Sequence, residues 1–321
     1  MKTLIQAAAG LVLSLAVGGA FAQSYPDRPL RLIVPFSPGG TTDAVARVMA
    51  QYLAQEVGQP VAVENKGGGS TIIGTEALAR AAPDGYTLML ATPDFTVNPS
   101  LRAKLPYDTL KDFTPIALIG TYPMLLVTRA GGGLDSTQKL LERARAHPKQ
   151  LNFASAGTGS MPHLCAELMA SLARVDLMHV PFKGNGPALT DLVAGRVSML
   201  FSGAPAVDGL VQSGKLQVLA VTSKSRHPAL PNVPTLAESG VPGYEVIAWF
   251  GVLAPAGVPP AVVERLNGAI GTVMAMPEVR DKLSSLGADL RASTPAEFDR
   301  QIRSEIDKWG KVVKAAGIEA N

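Results

Sequence analysis

Short apolar runs alternate with amphipathic stretches along almost the whole chain. Leu30-Arg31-Leu32-Ile33-Val34 reads as a strand, and a helical pattern over Ala44–Met49 follows it. Val61-Ala62-Val63-Glu64 comes next, then a helix near Ile72–Ala82 and a strand over Thr87–Ala91. Further strand-like runs stand at Ile116–Ile119, Met124–Val127, Asn152–Ala154, Leu177–Val180, Met199–Phe201 and Gln217–Val221. Short helices separate them, such as Leu164–Leu172 and Ala188–Ala194. A strand–helix alternation of this kind predicts an α/β protein with largely parallel sheets flanked by helices.

The punctuation between these elements has local causes. Pro83-Asp84-Gly85 is a turn tripeptide ahead of a strand. Gly131-Gly132-Gly133 marks a loop, expected near a crossing between lobes. Near the C-terminus, Thr294 caps a helix with Pro295 at its first position and Glu297 closing a capping box. From there Phe298, Ile302, Ile306, Trp309, Val313 and Ala316 form one apolar stripe at helical spacing. That helix is expected to pack on a lobe rather than to line a site.

The run Ile247–Leu253 is a strand that carries the chain back into an earlier sheet. The expected organisation is therefore a leader over 1–22, a first lobe from 23–125 plus 245–321, and a second lobe over 126–244. Lobes joined by more than one crossing bend at a hinge. The leader reads as an export signal: Lys2, an apolar core from Leu4 to Ala20, and the small-x-small site Ala20-Phe21-Ala22, with cleavage before Gln23. A membrane anchor is the competing reading, but no stop-transfer charges follow and no later run reaches the ~20 apolar residues of a membrane span.

Composition narrows the function. With 29 Lys and Arg against 26 Asp and Glu, the chain lacks the basic excess of a nucleic-acid binder. Aromatic residues are only 5%, too few for an aromatic-lined sugar groove. Cys165 is the one cysteine, so no internal disulfide forms, and it reads as a small core residue. None of the four histidines, His147, His163, His179 and His227, has helix-face metal spacing with another. Nucleotide-binding glycine motifs, the G-x-S-x-G elbow and H-E-x-x-H are all missing. No cofactor, metal or catalytic residue is expected.

Two glycine loops carry the candidate chemistry. The first, Phe36-Ser37-Pro38-Gly39-Gly40-Thr41, joins the first strand to a helix start, with Asp43 in the first turn. The second is Ser155-Ala156-Gly157-Thr158-Gly159-Ser160, followed by His163. A strand, a glycine turn and a helix start present free N–H groups at the positive end of a helix dipole, which binds anions. Two such loops suggest two lobes closing on one anionic molecule. Thr41 or Thr42 is expected to cap its helix. Asp43 either stabilises that helix or accepts a bond from the ligand. A third segment, Val180–Pro187, has the same shape; its Lys183 either faces an acid or is a plain surface lysine. Gly67-Gly68-Gly69-Ser70-Thr71 looks like a phosphate loop but lacks the lysine, and shapes a turn at the cleft border. A micromolar complex needs about 8 kcal/mol, within reach of four or five charge-assisted donors at roughly 1.5–3 kcal/mol each.

These residues resemble the tripartite tricarboxylate transporter substrate-binding proteins, also called the Bug family. The resemblance rests on Pro35–Gly40 with Asp43, Ala46 and Arg47, then Pro83–Thr87, Asn98–Leu101, Leu105–Asp108 and Asp112-Phe113. It continues through Ser155–Ser160 with His163-Leu164, His179–Gly184, Pro234–Glu238 and Trp249-Phe250-Gly251, and so covers nearly the whole mature chain. It implies a two-lobed periplasmic-binding-protein fold, type II-like, with the cleft between lobes. It also implies capture of a small carboxylate (a di- or tricarboxylate, aromatic acid or amino acid), delivery to a membrane permease, and a monomeric receptor in the periplasm. The implied ligand contacts are the two loops, with Phe36, Ser37, Ser155 and His163 at the cleft; Phe182 and Lys183 of the third segment are further candidates for ligand contact. The chain departs from the family pattern at Phe182, where tyrosine is usual, at Lys66–Ser70, and at Thr92-Pro93-Asp94-Phe95, which marks a different distal pocket. Two other readings compete: an exported serine hydrolase using Ser160 or Ser155 with His163, and a sensor that docks on a membrane kinase.

Overall fold

The computed structural model describes residues 25–227, 230–283 and 290–316. The expected leader over 1–22 and its cleavage site lie outside the described residues.

Two five-stranded sheets form the molecule. The first contains β1 (Leu30–Val34), β2 (Val61–Asn65), β3 (Thr87–Ala91), β4 (Phe113–Pro123) and β10 (Ile247–Pro255), in the order β2-β1-β3-β10-β4. The second contains β5 (Leu125–Arg129), β6 (Asn152–Ser155), β7 (Met178–Pro181), β8 (Met199–Ser202) and β9 (Leu216–Val221), in the order β7-β6-β8-β5-β9. The helices are α1 (Thr41–Val57), α2 (Ile72–Ala79), α3 (Asp94–Leu101), α4 (Thr137–Ala146), α5 (Met161–Ala173), α6 (Asn185–Val193), α7 (Ala204–Gln212), α8 (Pro260–Ala275), α9 (Pro277–Lys282) and α10 (Pro295–Ala316). Strands β1 and β3 are buried almost throughout, as central strands covered by helices on both faces must be.

The sheets are mixed. In the first, β1 pairs in parallel with β2 and β3, while β10 is antiparallel to β3 and β4. In the second, β6 pairs in parallel with β7 and β8, while β5 is antiparallel to β8 and β9. One strand is thus reversed in each sheet, and the cause is the crossing. Strand β4 ends at the cleft and hands the chain directly to β5, which must start there and run outward. The chain returns through β9 to the cleft, and β10 starts from it. Ile247 stands opposite Pro123, and Leu125 opposite Val221, so the two crossings lie side by side. They are tied through the buried Thr222. Its hydroxyl accepts from Met124 N–H (2.7 Å), its N–H donates to Met124 O (2.9 Å), and its carbonyl accepts from Val246 N–H (2.9 Å). The glycine run 131–133 falls beyond the outer end of β5, away from this crossing. The five residues of β5, at about 3.3 Å each, separate the two.

Helix α10 begins with the expected capping box: Glu297 Oε2 accepts from Thr294 N–H (2.8 Å), and Glu297 N–H donates to Thr294 Oγ1 (3.3 Å). Its stripe buries Phe298, Ile302, Trp309 and Val313, half-buries Ile306, and packs on α3 and β4. Among the described residues no helix is long and apolar enough to cross a membrane.

Candidate functional site

Five strands, two from the first sheet and three from the second and parallel within each, end at one place between the sheets. Each is followed by a helix: β1 by α1, β3 by α3, β6 by α5, β7 by α6 and β8 by α7. Ligands of open α/β sheets bind at such strand ends. A small, partly open cavity of about 40 Å³ sits there, lined by Gly40, Thr41 and Thr42 at the start of α1, Thr92, Pro93 and Asp94 at the start of α3, Met161 and Pro162 of α5, Asn185 of α6 and Gly203 just ahead of α7. Phe36, Tyr122, Met124 and Ala156 complete it. Its volume corresponds to roughly three water-sized groups. Five helix N-termini around one small space make it electropositive without a cationic side chain.

The sheets are closed on each other by hydrogen bonds across the cleft. Ser37 donates both its N–H (3.2 Å) and its Oγ (2.9 Å) to Lys183 O. Thr41 Oγ1 donates to Gly203 O and accepts from Gly203 N–H, both at 3.1 Å. Ser70 Oγ donates to Thr158 O. Met161 N–H donates to Asp94 Oδ1 at 3.2 Å. Helix α1 is capped by Gly40, with no side-chain cap, because the Thr41 hydroxyl turns to the opposite sheet instead.

The first loop turns at Gly39, whose φ of +86° favours glycine. Asp43 bolts it down. The carboxylate accepts from Gly39 N–H (3.1 Å), from Arg47 Nε and Nη2 (3.0 Å each) and from Asn65 Nδ2 (2.9 Å). Burial works to raise the Asp43 carboxyl, but the bonds from Arg47, Asn65 and Gly39 outweigh it and hold it below the usual carboxylate range. Asp43 does not line the cavity, and its engagement favours the loop-stabilising role.

The second loop turns at Gly157 and Gly159, both at positive φ. It too is pinned from within. Gly157 N–H donates to Ser155 Oγ (3.1 Å), Gly159 N–H to His163 Nδ1 (2.9 Å) and Ser160 N–H to Gly157 O (3.0 Å). Ser155 Oγ also pairs with His179 Nε2 at 2.6 Å, and the His163 and His179 rings stack 4.0 Å apart. Burial, helped by the neighbouring His163, pushes His179 down to about 4. Four of the amides expected to meet a ligand, those of Gly39, Gly157, Gly159 and Ser160, are therefore engaged by the protein itself. Among the described residues, the N–H groups of Gly40, Thr41, Thr42, Ala156 and Thr158 carry no such partner.

The remaining expected residues divide between two regions. Ser37, Gly157, Thr158, Phe182 and Lys183 line a more open groove of about 570 Å³ outside the small cavity, and the Lys183 side chain is exposed. Pro38 and Gly39 border a second open groove. Ser155, Ser160 and His163 lie beneath the second loop, supporting it. The hydrolase arrangement is not assembled. His163 Nδ1 accepts from an amide, its Nε2 faces Glu167 at 3.4 Å, and Ser160 Oγ has no partner. Ser155 is fully buried, and a histidine titrating near 4 is a poor base at neutral pH.

Sequence reasoning did not place Asn185, Gly203, Met161 or Tyr122 at the site. Pro162 and Pro205, each near the start of its helix, marked two of the converging N-termini. Asp94 stood in the stretch noted as a departure. It is only 2% exposed, accepts from Thr92 Oγ1 (2.7 Å) and Met161 N–H, and forms no ion pair among the described residues. Burial pushes its carboxyl up to about 6, against the bonds from Thr92 and Met161. An unfolded aspartate titrates near ~3.9. Between the two values the folded chain keeps a proton that the unfolded chain has released, so stability falls as pH rises through that window. The loss is on the order of 3 kcal/mol. About half of that loss falls between pH 5 and pH 7.5, and urea midpoints at those two values should show it in the native protein and not in Asp94→Asn; identical pH profiles would refute it.

The comparisons agree with this architecture. The model of the TctC family, described as tripartite tricarboxylate transporter family receptors, matches residues 45–318. BugT of Bordetella pertussis is 38% identical over 93% of this chain and 92% of its own. The solved periplasmic binding protein BugD is 34% identical, with a TM-score of 0.88 over 92% of this chain and all of its own (100%). An R. palustris protein solved with adipate is 37% identical, with a TM-score of 0.88 over 92% of this chain and 99% of its own. The chain belongs to the tripartite tricarboxylate transporter receptor family.

Proposed function

We propose that this receptor works in the periplasm, captures a small carboxylate between two lobes, and delivers it to a tripartite tricarboxylate-type permease. The lobes are taken as 23–125 with 245–321, and 126–244, hinged at Thr222. The observation that carries this reading is the ring of five helix N-termini around one small cavity, with unpartnered amides at Gly40, Thr41, Thr42 and Ala156. A carboxylate satisfies such amides better than any neutral group. The two glycine loops supply the backbone, and their inner bonds hold it ready, so that little ordering is left for the ligand to drive. The adipate bound to the R. palustris relative supports the same ligand chemistry. Phe36, Ser37, Phe182 and Lys183 then border the entrance.

The test is a thermal-shift panel of di- and tricarboxylates, aromatic acids and amino acids on the mature protein. A true ligand at a hundredfold excess over its Kd adds roughly 2.7 kcal/mol. A melting point unmoved by the entire panel would count against the reading.

A further inference from the structure

The cavity holds more than an anion cradle. Asp94, from the start of α3, puts a carboxylate among the five helix N-termini, with no Lys, Arg or His lining the space beside it. Its two oxygens each take one hydrogen bond, Oδ2 from Thr92 and Oδ1 from Met161 N–H, and each retains acceptor capacity. Asn185, 8% exposed, lines the same cavity from the second sheet. Its Nδ2 donates to Phe201 O (3.3 Å) and Ser202 Oγ (3.2 Å). A carbonyl only accepts, so this contact fixes which end of the amide is nitrogen. Asn185 Oδ1 is left buried with no partner. One lobe thus offers a buried carboxylate with no cation beside it, and the other a buried acceptor with no hydrogen-bond partner.

We propose that Asp94 and Asn185 Oδ1 form an acceptor pair that selects a ligand carrying an ammonium group beside its carboxylate, an amino acid rather than a plain di- or tricarboxylate. This rests on the carboxylate-receptor reading and narrows it. Unpaired buried acceptors are costly, and a buried charge more so, unless the ligand completes them. An ammonium has three donors and a positive charge, and meets both groups at once. The ligand's own carboxylate is then left to the free amides of Gly40, Thr41 and Thr42. A second carboxylate placed near Asp94 instead meets a like charge in a confined cavity, which excludes it. Thr92 and the Met161 amide bond to Asp94, Tyr122 and Cys165 lie near enough to feel its charge, and none of them brings a cation.

The experiment is calorimetric titration of the mature protein at pH 7.5 with matched pairs that differ only in the amine: L-aspartate and succinate, L-glutamate and glutarate, 3-aminopropanoate and propanoate. In the native protein the best amine-bearing acid is expected to bind at least tenfold tighter than its amine-free partner. In Asp94→Asn that ratio should collapse towards one. Asparagine keeps an oxygen for Met161 N–H, so a residue that merely latched the lobes would leave the ratio unchanged, and that result overturns the proposal. It is equally overturned if any amine-free acid binds the native protein as tightly as the best amine-bearing one; the carboxylate receptor then stands while the selection falls. Failure of every acid to bind removes both readings together.

Discussion

Gly186→Ala is expected to leave both lobes folded and to weaken carboxylate binding by roughly a hundredfold or more. Gly186 is the second residue of α6, and the first loop lies directly against it in the closed molecule. A Cβ there would overlap the carbonyl oxygen of Pro38, which belongs to the opposite lobe and is backbone, so it cannot rotate away. Gly186 does not need a positive φ, and alanine is the better helix former, so the second lobe loses nothing by the change. What is lost is closure. If two charge-assisted hydrogen bonds from the far lobe fail to form, at roughly 1.5–3 kcal/mol each, the deficit is about 3–6 kcal/mol. That corresponds to a weakening of about 10²- to 10⁴-fold. Small-angle scattering should show a larger radius that no longer contracts when the tightest-binding acid is added. Native-like affinity with native-like contraction would show that the lobes do not close in this way.

Phe298→Ala should cost about 3–5 kcal/mol of stability, as large-to-small changes at fully buried aromatics do. The ring is 0% exposed, stands edge-on to Trp249 with centroids 5.6 Å apart, and covers the backbone of β10 at Gly251. No side chain but hydrogen fits at Gly251 while Phe298 lies over it, so glycine and ring form one fitted contact between α10 and the first sheet. In a chain of this size the change should lower Tm by on the order of 10 °C. Ile306→Ala, on the same stripe but half-buried, is the internal comparison and should lose clearly less. Equal losses at the two positions, or a loss below about 1 kcal/mol at Phe298, would mean that the helix is not docked as described.

The two glycine loops were legible because their requirements are local. A strand, a residue at positive φ and a helix start all lie within a dozen positions, and Gly39, Gly157 and Gly159 adopt the expected conformation. The capping box at Thr294 and Glu297 was legible for the same reason. Which amides remain free was not. Asp43 and His163 fold back onto Gly39 and Gly159, and such returns depend on rotamers that spacing alone does not set. Thr41 looked like a cap and became a cross-lobe bond, since its partner Gly203 is distant in sequence and adjacent only after closure.

By itself the sequence determined the alternation of strand and helix, the return of the chain at Ile247, the glycine turns and the apolar stripe of α10. These follow from side-chain periodicity and backbone sterics, which act over a few residues. The tertiary structure alone decided that five helix N-termini meet at one cavity, that one strand in each sheet runs backwards, and that Asp94 and Asn185 line that cavity with no cationic side chain beside them. Those features arise where segments far apart in the chain are brought together, and the electrostatics of a buried group depends on every neighbour so assembled.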